Sequence, residues 1–359
     1  PGHKGLCYGL IELLIRGARY GEAIAAIEEA AVRYGLDDAA IDAALQIRTL
    51  AGAPPAPRPG SGSISVCMIV KNEAQHLARA LLSVRGLADE LVVVDTGSSD
   101  RTGDIARIFG ARLFSFPWNG SFADARNFSL AQAAGDWIMI LDADEALAAE
   151  DLPPLVETAR RGDTVAYSFV TRNYTGEIAR RNWVANAGEY AELERGQGWT
   201  PSEKVRLFPN RPDLRFEGAV HELLEPSLVK SDIPIHAVDV PVHHYGRLDQ
   251  ARNREKQEHY YLLGRKKLEE SAASPDALLE LARQATELDR QQEAQELWHL
   301  LLQEIPGHAE AHFNLGYLHL AAGDYRQGYQ HALRATELDP QLKEAAFNLA
   351  KCELYLGQV

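Results

Sequence analysis

The stretch "ISVCMIVKNEAQHLARALLSVRGLADELVVVDTG", Ile64–Gly97, places a short apolar run on each side of a helical pattern. Both runs, "ISVCMIV" and "ELVVVD", are apolar at nearly every position, which is typical of strands that are buried on both faces. Between them, "EAQHLARALLSV", Glu73–Val84, carries apolar side chains at helical spacing and predicts a helix. A strand, a helix and a second strand in this order indicate a right-handed crossover between parallel strands. The stretch therefore predicts an α/β fold.

The same alternation continues through a helical "DRTGDIARIFG", a strand-like "ARLFSF", a helical "FADARNFSLAQAA" and a strand-like "WIMIL". In open parallel sheets, ligands bind beyond the carboxyl ends of the strands. Here those ends carry polar groups, namely the "KNE" segment Lys71–Glu73, Asp95, and the pair Asp142 and Asp144. The sequence therefore predicts a binding site at this edge of the sheet.

Composition changes divide the chain into four segments. Residues 1–50 are rich in Ala, Leu and Ile at helical spacing and predict an N-terminal helical region, and the Pro, Gly and Ser tract at 51–63 predicts a linker. We expect the α/β domain at 64–248 and a helical domain at 249–359. In the last segment Phe313, Asn314 and Leu315 recur 34 residues later (347 − 313 = 34), the period of tetratricopeptide repeats. Such repeats stack into a solenoid whose concave surface suits a protein partner or a second copy of the chain.

Overall composition excludes some functions. The chain has 359 residues with 51 acidic and 37 basic side chains, a formal net charge of -14, which argues against nucleic acid as a partner. Three scattered cysteines favour a reducing compartment over a disulfide framework. No apolar run reaches the roughly 18 residues of a membrane span, and the start shows neither a signal pattern nor an initiator Met. We expect a cytoplasmic chain without a transmembrane segment, trimmed from a longer protein.

The segment "WIMILDADEAL", Trp137–Leu147, runs directly from buried residues into acids. If it is extended, Asp142 and Asp144 project to the same side, where a hard divalent cation would relieve their repulsion. Mg²⁺ or Mn²⁺ would also leave coordination positions open for the oxygens of a diphosphate. The alternative is that "DADE" caps the next helix with first-turn acids. The acids at the other strand ends favour the metal.

"SVCMIVKNEAQHLARALLSVRGLADELVVVDTGSSDRTGDIARIFGARL", followed by "FADARNFSLAQAAGDWIMILDADE", resembles the nucleotide-binding half of family 2 glycosyltransferases of the GT-A fold. The later "RLFPNRPDLRFEGAVHELL" and "HHYG" resemble the branch that includes bacterial lipopolysaccharide-core glucosyltransferases and the S-glycosyltransferase that acts on the sublancin peptide. The resemblance implies an inverting, metal-dependent transfer of a hexose or N-acetylhexosamine from a nucleotide sugar, a UDP-sugar, to an acceptor. We favour a peptide or protein side chain over a glycan, because tetratricopeptide grooves bind extended peptides.

The resemblance also implies a role for each matching residue. Glu73 would contact the nucleoside, Asp95 would accept from N3 of a uracil ring, and Arg126 would reach the base or the diphosphate with Asn127 in support. Asp142 would lie near the ribose or the metal, and Asp144 would be the main metal ligand. The alternatives are turn or helix-capping roles for Glu73 and Asp95, and a surface ion pair for Arg126.

An inverting transfer needs a base that removes the acceptor proton. Where the family more often has a Glu-Asp pair, this chain has "GAVHE", so we expect Glu222 or His221, with Glu222 favoured and a structural role for His221 as the alternative. In "VHHYG", His244 is expected to complete the metal shell, unless it is a core histidine. Lys204 and Arg206 would steady the diphosphate, unless they form one solvated strand face.

Two other functional classes remain open. One is an interaction scaffold with an inert transferase domain, although Glu73, Asp95, Asp142 and Asp144 are all intact. The other is a nucleotidyltransferase, which would need a Gly-rich phosphate loop after the first strand, where "KNEAQ" stands. A lipopolysaccharide- or polysaccharide-core acceptor is the alternative within glycosyl transfer.

Overall fold

The computed structural model describes residues 3–54, 56–57, 60, 62–162, 164–176, 182–218, 222–248, 254, 258, 261–266, 268 and 274–357. The chain divides into two compact units, Pro1–Asp249 and Gln250–Val359. The first unit contains the sheet and the second is helical.

In the first unit the helices are α1 Lys4–Arg16, α2 Tyr20–Tyr34, α3 Asp38–Ala51, α4 Leu77–Ser83, α5 Thr102–Ile108, α6 Phe122–Gln132, α7 Leu152–Arg161 and α8 Glu225–Lys230, with a 3-10 turn at Ala149–Asp151. The strands are β1 Ile64–Val70, β2 Glu90–Asp95, β3 Arg112–Ser115, β4 Trp137–Ile140, β5 Glu145–Ala146, β6 Ala166–Thr175, β7 Val184–Ala185, β8 Gly198–Pro209 and β9 Ile235–His244. None of the described helices, in either unit, has the length and apolarity needed to cross a bilayer.

The strands form one mixed sheet in the order β3-β2-β1-β4-β8-β6-β9-β5, with β7 paired to β8. Strands β1 to β4 are mutually parallel where they pair, as the alternating sequence predicts, and β8 joins β4 in the antiparallel direction. The expected α/β fold is confirmed. Because β1, β2 and β4 are parallel neighbours, their carboxyl ends lie at one edge of the sheet.

Helices cover both faces of the sheet. Along β1, Val66 and Met68 belong to one buried cluster and Cys67 to another, as expected for alternating side chains. The first cluster includes apolar residues of α2 to α5 and α7, and the second includes residues of α6 and α8. This arrangement explains why β1, β2 and β4 are apolar at nearly every position, and it places α6 on the second face.

The N-terminal helices share the first of these cores. Ion pairs reinforce the contact, since Arg48 of α3 binds buried Glu28 of α2 at 2.6 Å and also donates to the Ile108 carbonyl at the end of α5. Arg101, at the start of α5, binds Asp42 of α3 at 2.5 Å. The three N-terminal helices therefore pack on the helical layer of the sheet.

In the second unit the helices are α9 Pro275–Glu287, α10 Gln291–Glu304, α11 Ala309–Ala321, α12 Tyr325–Leu338 and α13 Lys343–Leu356. Helices α11 and α13 begin 34 residues apart (343 − 309 = 34), which matches the sequence repeat. Trp298 of α10 is fully buried against apolar residues of α9 and α11. The expected helical C-terminal region is confirmed.

Candidate active site

The tip of β4 is a turn, which differs from the extended segment that the sequence predicts. The Glu145 amide donates to the Asp142 carbonyl over 3.0 Å, and the Asp142 amide donates to Glu145 Oε2 over 2.9 Å. Glu145 therefore closes the turn with its side chain as well as its backbone. In a turn, side chains two residues apart need not point in the same direction. Asp142 accordingly contacts Arg126, whereas Asp144 contacts His244.

Arg126 joins Asp142 to Glu222. Its Nη2 lies 2.7 Å from Asp142 Oδ1, and its Nε lies 2.7 Å from Glu222 Oε1. Arg126 is only 7% exposed, on α6 beneath the strand tip. Burial by itself would raise the pKa of Asp142, but the positive charge of Arg126, and then those of Arg206 and Lys204, outweigh burial and lower that pKa. Burial would lower the pKa of Arg126, yet its two carboxylate partners raise it. The guanidinium stays charged at the sheet edge where a diphosphate is expected.

Asp144 faces His244 across the junction between β5 and β9. Asp144 Oδ2 lies 3.4 Å from His244 Nε2, and both side chains are largely buried. The other ring nitrogen, Nδ1, lies 2.8 Å from Asn173 Oδ1, an atom that only accepts hydrogen bonds. This contact assigns the proton of the neutral ring to Nδ1. The lone pair of Nε2 is then directed towards Asp144.

These two side chains fit a divalent cation. One carboxylate oxygen and one imidazole nitrogen 3.4 Å apart are close enough to be ligands of a single divalent cation, which would hold each at roughly 2.1 Å. Gly246 leaves room beside them, since a Cβ there would lie 2.4 Å from Asp144 Oδ2 and 2.8 Å from His244 Nε2. Among the described residues, no group of three or more His, Cys, Asp or Glu is arranged to hold a metal by itself. The remaining ligands would come from water and from a substrate.

The two basic residues of β8 are placed differently from each other. Arg206 is 2% exposed, and its Nη1 and Nη2 bind the two oxygens of Glu145 over 2.6 and 2.5 Å. The predicted contact of Arg206 with a diphosphate is therefore not available in this structure, because the guanidinium is buried behind the turn. Lys204 is exposed, and its charge acts on Asp142. Of the pair, only Lys204 remains a candidate for the diphosphate.

Glu73 and Asp95 lie at neighbouring strand ends. The Glu73 amide donates to Thr102 Oγ1 over 2.7 Å, so the "KNE" segment is a turn against the start of α5, and α4 begins only at Leu77. Asp95 Oδ1 accepts from the amides of Gly97 and Ser98 over 3.0 and 2.8 Å. Asp95 therefore shapes its own turn with one oxygen, which is the alternative role, and the predicted uracil contact would use the other.

The remaining predicted site residues are Asn127, His221 and Glu222. The Asn127 amide group pairs with the backbone of Phe216, with Nδ2 donating to the carbonyl over 2.9 Å and Oδ1 accepting over 2.8 Å. Asn127 thereby ties α6 to the chain that leads towards Glu222. His221 lies outside the described residues. Among the described residues, none donates a hydrogen bond to Glu222 Oε2, whereas Oε1 is bound to Arg126.

Sequence reasoning did not identify Asn173 or the function of Gly246. Asn173 gives no signal in the sequence, because its importance depends on the pairing of β6 with β9, which places it opposite His244. Gly246 stands in the quoted "HHYG" segment, but only the three-dimensional structure shows that its lack of a side chain leaves space at Asp144.

Residues 65–219 match the sequence pattern of the family described as Glycosyl transferase family 2. The chain contains a family 2 glycosyltransferase domain. The matched range includes Arg126, the turn at Asp142–Glu145 and Asn173. Glu222 and His244 lie after the end of the matched range.

Relatives of the glycosyltransferase domain occur in several bacteria. A TPR repeat-containing protein of Synechococcus elongatus is 40% identical over 166 residues, 46% of this chain and 36% of that protein. An uncharacterized glycosyltransferase of Rickettsia prowazekii is 40% identical over 166 residues, 46% of this chain and 52% of that protein. The glycosyltransferase SunS of the Bacillus subtilis SPbeta prophage is 26% identical over 193 residues, 51% of this chain and 40% of that protein. The chain thus spans about half or less of the length of these curated relatives.

Among solved structures, Staphylococcus aureus TarS in complex with UDP-GlcNAc is a distant match. It has a TM-score of 0.39 and 14% identity, and the match covers 82% of this chain and 92% of that chain.

Proposed function

We propose that the chain transfers a hexose or N-acetylhexosamine from a UDP-sugar to an acceptor, with inversion and with the help of Mn²⁺ or Mg²⁺. The observation that carries this proposal is the Asp144–His244 pair beside Gly246, next to the ion pair of Arg126 with Asp142. The family 2 domain supports sugar transfer. The identities of the sugar donor, the metal ion and the acceptor go beyond the family match and belong to our proposal.

Each residue has a defined task in the proposed reaction. Asp144 and His244 would hold the cation, which when bound offsets negative charge on the diphosphate. Arg126 offers a charged guanidinium that a diphosphate can share with Asp142, and exposed Lys204 adds a second positive charge. The Asn173 contact keeps the His244 ring oriented.

The proposed reaction also needs a base that accepts the proton of the acceptor. The acceptor atom attacks the anomeric carbon, the bond from that carbon to the diphosphate oxygen breaks, and UDP leaves with the bonding electrons. The acceptor proton passes to a base. Glu222 is our candidate, because its Oε2 accepts no hydrogen bond from the described residues while Arg126 fixes Oε1. His221 is the alternative.

For the acceptor we propose a peptide or protein side chain. Support comes from the helical repeats of the second unit, a class of structure that binds extended peptides. The similarity to a TPR repeat-containing protein is in keeping with this. A lipopolysaccharide- or polysaccharide-core glycan is the alternative acceptor within the same reaction.

UDP release from a panel of UDP-sugars tests the proposal, with Mn²⁺, with Mg²⁺ and with EDTA. We expect metal-dependent release that Asp144→Asn abolishes while the melting temperature stays nearly unchanged. Asp38→Asn is the control, because that carboxylate is 83% exposed on α3. Absence of release from every sugar by the folded protein would instead favour the inert scaffold. Equal loss of folding in Asp144→Asn would make Asp144 a structural residue.

A further inference from the structure

A cavity of about 570 Å³ lies beside β6, β8 and β9 in the first unit. Nothing described above uses it. Its walls combine three carboxylates, one arginine, two aromatic rings and an apolar strip; the lining residues are Glu150, Val170, Arg172, Glu189, Tyr190, Trp199, Val238, Asp239, Val240 and Pro241.

Among the described residues that line this cavity, negative charge exceeds positive charge. Arg172 is the cation among the lining residues, and it is already bound to Glu189 at 2.8 Å, with Glu194 at 3.8 Å behind it. Glu150 and Asp239 also line the cavity, and among the described residues neither forms an ion pair with Arg172. The pKa of neighbouring Asp151 is raised, first by burial and then by the charges of Glu150 and Asp239, although a hydrogen bond from Tyr190 and the charge of Arg172 oppose this rise. A positively charged ligand would relieve this repulsion.

The aromatic residues already accommodate one guanidinium. The Arg172 guanidinium carbon lies 4.9 Å from the ring centroid of Tyr190 and 4.9 Å from that of Trp199. Both distances are within the roughly 6 Å of a cation–π contact. The apolar strip of Val170, Val238 and Val240 suits the methylene groups of a long basic side chain. Charge and shape thus both favour an ammonium or guanidinium on an aliphatic stem.

The cavity and the candidate active site share a strand. Asp239 lines the cavity and His244 lies five residues further along β9. Val238 and His244 pair with Phe169 and Asn173 of β6, which are four residues apart, so the cavity and the site are separated by roughly 13 Å along the sheet. Between them, buried His243 contacts Tyr190 of the cavity wall, with ring centroids 4.8 Å apart. An extended peptide of a few residues could span this distance.

We propose that this cavity binds an arginine or lysine side chain of the polypeptide acceptor, and so selects acceptors with a basic residue a few positions from the modified one. The proposal rests on the proposed function, because it names the substrate class of the same enzyme. A sugar ring is the competing occupant, but three carboxylates around a paired arginine favour a cation over a neutral ring.

Calorimetric titration of the full chain tests the cavity without any sugar transfer. The probe is a short Gly/Ser peptide with one arginine, compared with the same peptide carrying citrulline, which keeps the shape and removes the charge. We expect the arginine peptide to bind at least tenfold more tightly. The double variant Glu150→Gln, Asp239→Asn should lose that preference. The control Glu157→Gln, Asp38→Asn has the same change in charge at exposed sites, and should keep it.

Three results would overturn the proposal: equal binding of both peptides, binding of neither, or an unchanged preference in the cavity variant. Competition by a neutral oligosaccharide would identify a glycan site instead. The cavity variant should release UDP from a UDP-sugar at the wild-type rate in the absence of peptide. Absence of UDP release from the wild type would contradict the proposed function, while the peptide titration would still decide whether the cavity binds a cation.

Discussion

Replacing Gly246 by alanine tests the metal site with a single methyl group. The new Cβ would lie 2.4 Å from Asp144 Oδ2 and 2.8 Å from His244 Nε2, whereas an ordinary contact needs about 3.4 Å. Both groups must therefore give way, Asp144 Oδ2 by about 1 Å and His244 Nε2 by about 0.6 Å, each several times the ±0.2 Å that a metal site tolerates. The backbone of Gly246 is in a conformation that other residues adopt, so the substitution adds no φ strain. We expect Mn²⁺ affinity to fall at least tenfold, as when a supporting contact of a metal ligand is removed.

Mn²⁺ affinity can be measured by calorimetry or electron paramagnetic resonance in the presence of UDP. Gly176→Ala is the matched control, because a Cβ at the end of β6 meets nothing within 4 Å and also has ordinary φ. We expect that variant to bind Mn²⁺ like the wild type, and both variants to melt within a few degrees of it. If Gly246→Ala binds Mn²⁺ with wild-type affinity, Asp144 and His244 are not joint ligands of the cation.

Three further predictions concern other parts of the chain. Glu145→Gln leaves the buried Arg206 guanidinium without its anionic partner, so the free energy of unfolding should fall by about 3–5 kcal/mol in urea titrations, and an unchanged value would show that the pair is dispensable. Glu222→Gln should stop transfer but keep UDP-sugar affinity, measured by product formation and calorimetry; normal turnover would assign the base to His221 or another group. Burial and the neighbours His312, His319 and His299 lower the pKa of His331 to about 4. Since the unfolded chain takes up that proton near pH 6.5, stability should decline from pH 6.5 towards 4, and His331→Gln should decline less in urea titrations across that range.

The fold could be predicted where both faces of a strand are covered. Val66, Cys67 and Met68 show continuous apolarity in the sequence, and the structure buries all three against helices on opposite faces. Element boundaries were less predictable. Helix α4 begins at Leu77 and not at Glu73, because Thr102 and Asp100 bind the amides of Glu73 and Ala74 and hold them in a turn. These partners are 26 or more residues away, beyond the reach of a local pattern.

The strand order alone predicts that Asp95, Asp142 and Asp144 lie at one edge of the sheet, because parallel neighbouring strands end together. The hydrogen-bond partners of these acids depend in addition on the register of the strands and on the direction of each side chain. The pairing of Asn173 with His244 depends on a β-bulge between Phe169 and Thr171, which shifts the register of β6 against β9. No property of Asn173 in the sequence indicates that shift, so its contact with His244 was not predictable.

The turn at Asp142–Glu145 shows why a cluster of acids can mislead. The sequence groups Asp142, Asp144 and Glu145 as one negatively charged set, which would attract any nearby cation. In the structure the Glu145 carboxylate is 2% exposed, neutralised by Arg206, and bound to the Asp142 amide. Its charge is used inside the protein, and the bond to the amide bends the chain so that Asp142 reaches Arg126 while Asp144 reaches His244. Glu145 and Arg206 therefore support the turn, and of the three clustered acids only Asp142 and Asp144 are candidates for contact with the diphosphate or the cation.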